Sequence, residues 1–207
     1  NKIKKIIGLK FKKISRRSKY LLFFFNSDVV MLVHLGMTGK FFYVNHKREK
    51  YRTSFYYDIN DEQDKNHDRI IFNLSNNQKL IYNDVRKFGF IKFTKKAYLD
   101  QNTHLKHLGP EPLSVKFNIK YFKNYIKRKK KNIKDLLMDQ KFVSGLGNIY
   151  VNEVLFFSGI KPTKKITNLS EKDIKKIIKF TKTIISKAIK TGGSSIKDFS
   201  SSSGKKG

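Results

Sequence analysis

The apolar residues of this chain change their spacing once, and that change restricts the fold more than any other feature. Between residues 19 and 93 they come in short runs, at 20–25, 29–35, 41–44, 52–59, 69–74, 79–82 and 90–93. Such runs, bounded by turn residues, read as strands. Asn26-Ser27-Asp28 and Asn76-Asn77 supply turns, Gly36 and Gly39 flank another corner, and the polar stretch 60–66 reads as an exposed loop. After Thr94 the spacing becomes helical. Ser114 is placed to cap or precede a helix to about residue 129, with Phe117, Tyr121, Phe122, Tyr125 and Ile126 as its stripe. Ser170, with Glu171 and Asp173 in the first turn, opens a long amphipathic helix carrying Ile174, Ile177, Ile178, Ile185 and Ile189. Gly192-Gly193 ends it. Strands followed by helices indicate an α+β chain whose first half is a sandwich or barrel. The stiff segment Leu108-Gly109-Pro110-Glu111-Pro112-Leu113 divides it into domains 1–107 and 108–207.

The helical half contains a hairpin at residues 133–157. Ile133, Leu136 and Leu137 share one helical face, Ser144-Gly145-Leu146-Gly147 breaks the run, and a second helix turns Ile149, Tyr150, Val154 and Leu155 inward. Asn148 reads as the N-cap of that second helix. A helix N-terminus of this kind offers unpaired N–H groups and a positive dipole end to a phosphate. The basic run 127–131 lies just before it.

Composition narrows the function classes. The 207 residues carry 46 Lys and Arg against 16 Asp and Glu, a formal charge of +30, which suits a polyanionic partner, nucleic acid before membrane. Seven of the 46 are Arg, and the Lys, Ile, Asn and Phe excess is what an AT-rich coding sequence drifts towards. Bulk charge therefore permits nucleic-acid binding without establishing it. The chain has no Cys, which excludes disulfides and thiolate metal sites within it. No apolar run reaches membrane-spanning length, and the absence of a secretory pattern leaves the cytoplasm as the expected location.

Five segments carry a more specific message: His34-Leu35-Gly36-Met37-Thr38-Gly39, Asp84-Val85-Arg86-Lys87-Phe88-Gly89, Leu108 to Leu113, Gly145 to Glu153, and Gly192-Gly193-Ser194-Ser195-Ile196-Lys197-Asp198-Phe199. In this order they resemble the formamidopyrimidine-DNA glycosylase family of base-excision repair enzymes, with endonuclease VIII as a sibling family. The resemblance implies an antiparallel β-sandwich half, a helical half with a helix–two-turn–helix, and damaged double-stranded DNA as partner. It also implies a monomer without an obligate protein partner, in the bacterial cytoplasm at the nucleoid. The implied reaction removes oxidised purines such as 8-oxoguanine and formamidopyrimidines, then cleaves the abasic site by β/δ-elimination through a Schiff base.

Residue by residue, Lys19 matches the family lysine assigned proton donation in elimination and contact with the phosphate near the lesion. Met37 and Phe88 match an apolar wedge that fills the gap left by an everted base, and Arg86 matches the donor that bonds the orphaned base. His34, His67, Lys129 and Asn148 match DNA-contacting positions, and Lys134 matches one near the damaged base. Glu153 matches a carboxylate that supports the active site, a structural salt bridge being its alternative. Residues 194–199 match a loop that closes over the everted base.

The family begins with a proline whose amine is the nucleophile, followed by an acidic residue, and ends with a four-cysteine zinc finger. Here residue 1 is Asn, and nothing in residues 1–18 resembles that start. The expectation is a match that begins inside the β half and ends before the finger, with no metal in this chain and one structural zinc in full-length relatives. The leading alternative to the enzyme is a non-catalytic damaged-DNA-binding remnant. A ribosomal RNA-binding protein ranks last, because it leaves Met37, Arg86 and Phe88 unexplained.

Overall fold

Short apolar runs bounded by turns pair into sheets because alternate side chains can then share a core. In the computed structural model, which describes residues 2–52 and 64–191, they form eight strands. These are β1 (Phe11–Arg17), β2 (Tyr20–Phe25), β3 (Val29–His34), β4 (Gly39–Val44), β5 (Lys50–Arg52), β6 (Asp68–Asn73), β7 (Lys79–Asp84) and β8 (Phe90–Lys95). Two four-stranded sheets result, ordered β1-β2-β3-β8 and β5-β4-β7-β6. Leu22 lies opposite Leu32, Phe42 opposite Ile81 and Phe72 opposite Leu80, all in antiparallel register. Asn76 and Asn77 take φ of 58° and 57°, the two left-handed positions of a tight hairpin turn. Phe23, Phe25, Met31 and Val33 of one sheet meet Phe41, Phe72 and Tyr82 of the other in a single core. The first half is therefore a sandwich. The expected strand beyond Arg52, most of the loop at 60–66, and the stop and loop at 192–199 lie outside the described residues.

β1 departs from the expectation, which starts the β half at residue 19. Its sequence FKKISRR has no continuous apolar face and is mostly exposed, as suits a charged edge strand. The described residues fall into two compact units. One holds residues 2–14, 20–52, 64–93 and 188–191, and the other residues 15–19 and 94–187.

The helical unit contains α1 (Ile119–Ile126), α2 (Ile133–Met138) and α3 (Asn148–Ser158), with α4 (Glu171–Thr191) running from it. α1 starts later than Ser114, because the Asn118 side chain accepts the Tyr121 N–H and caps it, while the Ser114 hydroxyl closes a turn on the Glu111 carbonyl. α4 starts as expected: Ser170 Oγ accepts the Asp173 N–H, and the Asp173 carboxylate accepts the Ser170 N–H. Ile184 rather than Ile185 completes its buried stripe, and Ile189 is exposed. Ile133, Leu136 and Leu137 of α2 face Val151, Val154 and Leu155 of α3 within one core. Val151 takes the inward place expected of Ile149. Phe142, in the break, is ringed by Phe117, Tyr121, Phe122 and Tyr125. The Tyr121 hydroxyl donates to the Phe142 carbonyl at 2.7 Å; burial, then Tyr125 and Asp139, push its pKa up to about 12, so it keeps that proton.

Candidate nucleic-acid interface

In the helical unit the turn before α3 is shaped by two polar side chains. Asp139 accepts the Lys141 N–H and pairs with Lys131 at 3.0 Å. Gln140 accepts the Gly145 N–H and donates to the Leu146 carbonyl, both at 2.8 Å. Gly145 needs its glycine, since φ there is +90°. The N-cap of α3 is Gly147, not Asn148. Asn148 is the first helical residue and is exposed, its Oδ1 3.5 Å from the Asn152 amide. The difference has a chemical consequence. A glycine cap offers no side-chain oxygen, and α3 has no acidic residue in its first turn, so its own cap and first turn give its leading N–H groups no anionic partner.

Lys19 reaches this end of α3. A Cβ added at Gly147 would stand 3.4 Å from the Lys19 ammonium. The residue as a whole is exposed, yet desolvation of its amine lowers the pKa from the ordinary 10.5. An ammonium beside a helix N-terminus without a side-chain cap presents positive charge from both groups on the same side.

A strap sets Lys19 in place. Ser18 is buried with φ +55°, and its N–H donates to Glu111 Oε1 at 2.7 Å. Arg17 donates to the same oxygen at 2.7 Å, to Ser144 Oγ at 2.6 Å, and to the carbonyls of Leu108 and Gly109. Arg16 takes the other oxygen of Glu111 at 2.9 Å. Burial would raise the Glu111 pKa, but the Ser18 N–H and then Arg17 and Arg16 outweigh it and hold the carboxyl below its usual value. Gly109 must be glycine, because a Cβ would lie 2.5 Å from the Phe142 carbonyl oxygen. Sequence reasoning missed Glu111 and the two arginines. The available signal was one acidic residue inside a stiff Pro-Glu-Pro, in a chain with 46 basic and 16 acidic residues.

The Lys129 ammonium sits 3.1 Å from the centroid of Tyr125, and Lys134 is half-buried in the first turn of α2. Glu153 is half-buried on α3 and forms no ion pair among the described residues, so its salt-bridge alternative is not met there. An open groove of about 670 Å³ lies along Arg17, Pro110, Lys120 and Tyr121, and none of the predicted site residues lines it.

The sandwich unit brings three predicted residues together. The turn between β3 and β4 closes with the Gly39 N–H on the Leu35 carbonyl at 2.8 Å and lifts Met37 to 37% exposure. The loop between β7 and β8, with Lys87 at φ +59°, lifts Phe88 to 58% exposure. The Arg86 guanidinium lies 4.7 Å over the Phe88 ring and 3.3 Å from Met37 Sδ. Gly36 lets the two segments touch, since its φ is +66° and a Cβ would lie 2.7 Å from the Phe88 carbonyl carbon. His34, at the end of β3, accepts the Gly36 N–H at Nδ1 and stacks on Phe90. His67 is already engaged on both ring nitrogens, with Arg69 at 3.2 Å from Nδ1 and Asp64 at 3.2 Å from Nε2.

There is no Cys in the chain, and no described group of three His, Asp or Glu could hold a metal.

Comparison with known proteins bears on the family and the fold. The family model described as the formamidopyrimidine-DNA glycosylase N-terminal domain matches residues 1–91. The one described as the formamidopyrimidine-DNA glycosylase H2TH domain matches residues 108–200. The chain is 39% identical over 202 residues to a formamidopyrimidine-DNA glycosylase of Rickettsia bellii, covering 98% of this chain and 68% of that protein. To the one of a Bradyrhizobium species it is 34% identical, covering 99% and 71%. Among solved structures it resembles the Lactococcus lactis protein in complex with DNA containing an abasic site, at TM-score 0.79 and 35% identity, covering 94% of this chain and 67% of that one. A Lactococcus lactis mutant bound to Fapy-dG DNA matches at TM-score 0.82 and 34% identity, covering 99% and 70%.

Proposed function

This chain belongs to the formamidopyrimidine-DNA glycosylase family, and from that standing we propose that it acts in base-excision repair on damaged duplex DNA. The proposed reaction excises an oxidised purine and then cleaves the strand at the abasic site. The observation that carries the reading is the exposed cluster of Met37, Arg86 and Phe88. Two apolar side chains around a planar donor suit the gap left when a base leaves the stack: Met37 and Phe88 keep the duplex from closing, and Arg86 hydrogen-bonds the unpaired partner base. The relatives' complexes with abasic-site and Fapy-dG DNA support the same class of ligand.

Lys19 and the first turn of α3 are proposed to hold a phosphate of the damaged strand. In the chemical step an amine attacks C1′ of the extruded nucleotide and displaces the purine, which leaves with a proton; the amine loses its proton, O4′ gains one, and the sugar ring opens to a Schiff base. Loss of the C2′ proton then expels the 3′ phosphate. A lysine with a lowered pKa, lying against that phosphate, can donate the proton the departing oxygen requires.

The test is borohydride trapping on a duplex with a single abasic site, using the 207-residue chain. A covalent adduct is expected from the enzyme reading. Failure to trap, alongside salt-sensitive binding that prefers the abasic duplex, would favour the second reading, a damaged-DNA-binding protein without chemistry. The wedge and the Lys19 site support binding equally in both.

A further inference from the structure

Beneath the Met37, Arg86 and Phe88 cluster lies a buried carboxylate that none of the predicted roles uses. Asp84, at the end of β7, is 1% exposed. Its Oδ1 accepts the Thr38 hydroxyl at 2.5 Å, and its Oδ2 accepts the Gly89 N–H at 2.9 Å and the Tyr82 hydroxyl at 3.1 Å. Burial, then the charge and hydrogen bond of Asp84, hold the Tyr82 pKa far above its ordinary value, so Tyr82 remains a donor. Thr38 is buried too, and its hydroxyl has a fixed polarity. It gives its proton to Asp84 and accepts the Arg86 N–H at 2.9 Å. One relay therefore joins the turn bearing Met37 to the loop bearing Arg86 and Phe88. The Asp84 backbone carbonyl extends the network, accepting Arg69 Nε at 2.9 Å, while Arg69 Nη2 meets His67 Nδ1 at 3.2 Å.

A wedge that parts stacked bases works against a few kcal/mol of unstacking per step. A wedge on two independently moving loops would also lose the entropy of ordering them on each binding event. Charge-assisted bonds in a low-dielectric interior are the strong ones, and a hydroxyl held between a carboxylate and an amide has one orientation. We propose that Asp84 and Thr38 are positioning residues that lock the two loops into one pre-formed wedge, and thereby set the preference for abasic over intact duplex. This rests on the reading of Met37, Arg86 and Phe88 as a duplex wedge.

The experiment compares Thr38→Val, which keeps the shape and removes the relay, with Thr38→Ser, which keeps the hydroxyl. Binding is measured on intact and abasic duplexes, with 2-aminopurine opposite the abasic site reporting wedge insertion by its fluorescence. Thr38→Val is expected to lower the abasic-to-intact affinity ratio about tenfold and to abolish the fluorescence rise, because both hydrogen bonds of the hydroxyl, to Asp84 and from the Arg86 N–H, are lost. Thr38→Ser is expected to restore both. If Thr38→Val does not fold, Thr38→Ala against Thr38→Ser gives the same comparison, since the pair differs only in the hydroxyl. A Val or Ala variant with an unchanged ratio and fluorescence rise overturns the inference. A wild-type chain without abasic preference overturns the wedge reading and the inference together, and that outcome is told apart by needing no variant.

Discussion

Lys19 illustrates how one side chain acquires its chemistry from its surroundings. It is one lysine in a chain with 46 basic residues, and only its place beside the Gly147 cap separates it from the rest. Desolvation disfavours the charged form, so its amine titrates below an ordinary lysine, and a larger fraction is neutral at any given pH. Reductive methylation with ¹³C-labelled formaldehyde, with Lys19→Arg to assign the resonance, should show one lysine dimethyl signal titrating below the bulk, apart from that of the terminal α-amine. Phosphate or duplex DNA should move that midpoint back up, because an anion stabilises the ammonium. A Lys19 signal that titrates with the bulk would contradict the desolvation of its amine. Asn148 teaches the converse lesson. Its residue type suits an N-cap, but the backbone puts Gly147 there and leaves the amide side chain exposed.

At the scale of elements, the strap around Glu111 matters most, because it ties residues 15–19 to the segment 108–111 and to the hairpin turn. Glu111→Gln keeps an acceptor for Ser18 but loses the charge shared with Arg17 and Arg16. The expected cost is about 1–3 kcal/mol near neutral pH, for partly buried charged bonds left unbalanced. Since the folded-state pKa of Glu111 lies below its unfolded value, its contribution is complete above the unfolded carboxyl pKa, about 4.3, and is lost as pH falls through the folded value. Urea melts should therefore separate wild type from Glu111→Gln at pH 7 and bring them together as the pH falls through the folded value. A gap that persists in acid would assign the loss to packing instead. The long helix α4 needed no such strap to be legible, since its capping box and apolar spacing are local.

Across the whole molecule, charge and shape are expected to contribute differently to DNA binding. A formal charge of +30 makes binding to any duplex steeply salt-dependent, because each neutralised phosphate releases counterions. If 6–10 phosphates are contacted, affinity for intact duplex should fall roughly 10³–10⁵-fold between 50 and 200 mM salt. The preference for an abasic duplex should change little over that range, because an apolar wedge and one hydrogen bond to an orphaned base release few ions. Parallel titrations of both duplexes measure this, and a preference that collapses with salt would mean the cluster is only another cationic patch. The sequence alone determined the division into a β half and a helical half, most of the strands, the capping of α4, and the five segments that place the chain in its family. Each of these depends on residue type and spacing within a short window, where backbone sterics and burial of one face decide the outcome. The tertiary structure alone decided that Glu111 gathers Arg16, Arg17 and Ser18, that Thr38 passes a hydrogen bond from Arg86 to Asp84, and that Gly147 rather than Asn148 caps α3. Arg17 and Glu111 are 94 residues apart in the chain, and Thr38 and Asp84 are 46 apart. Buried polar groups find such partners only after packing has excluded water and brought distant segments together, and no local pattern encodes which partner that will be.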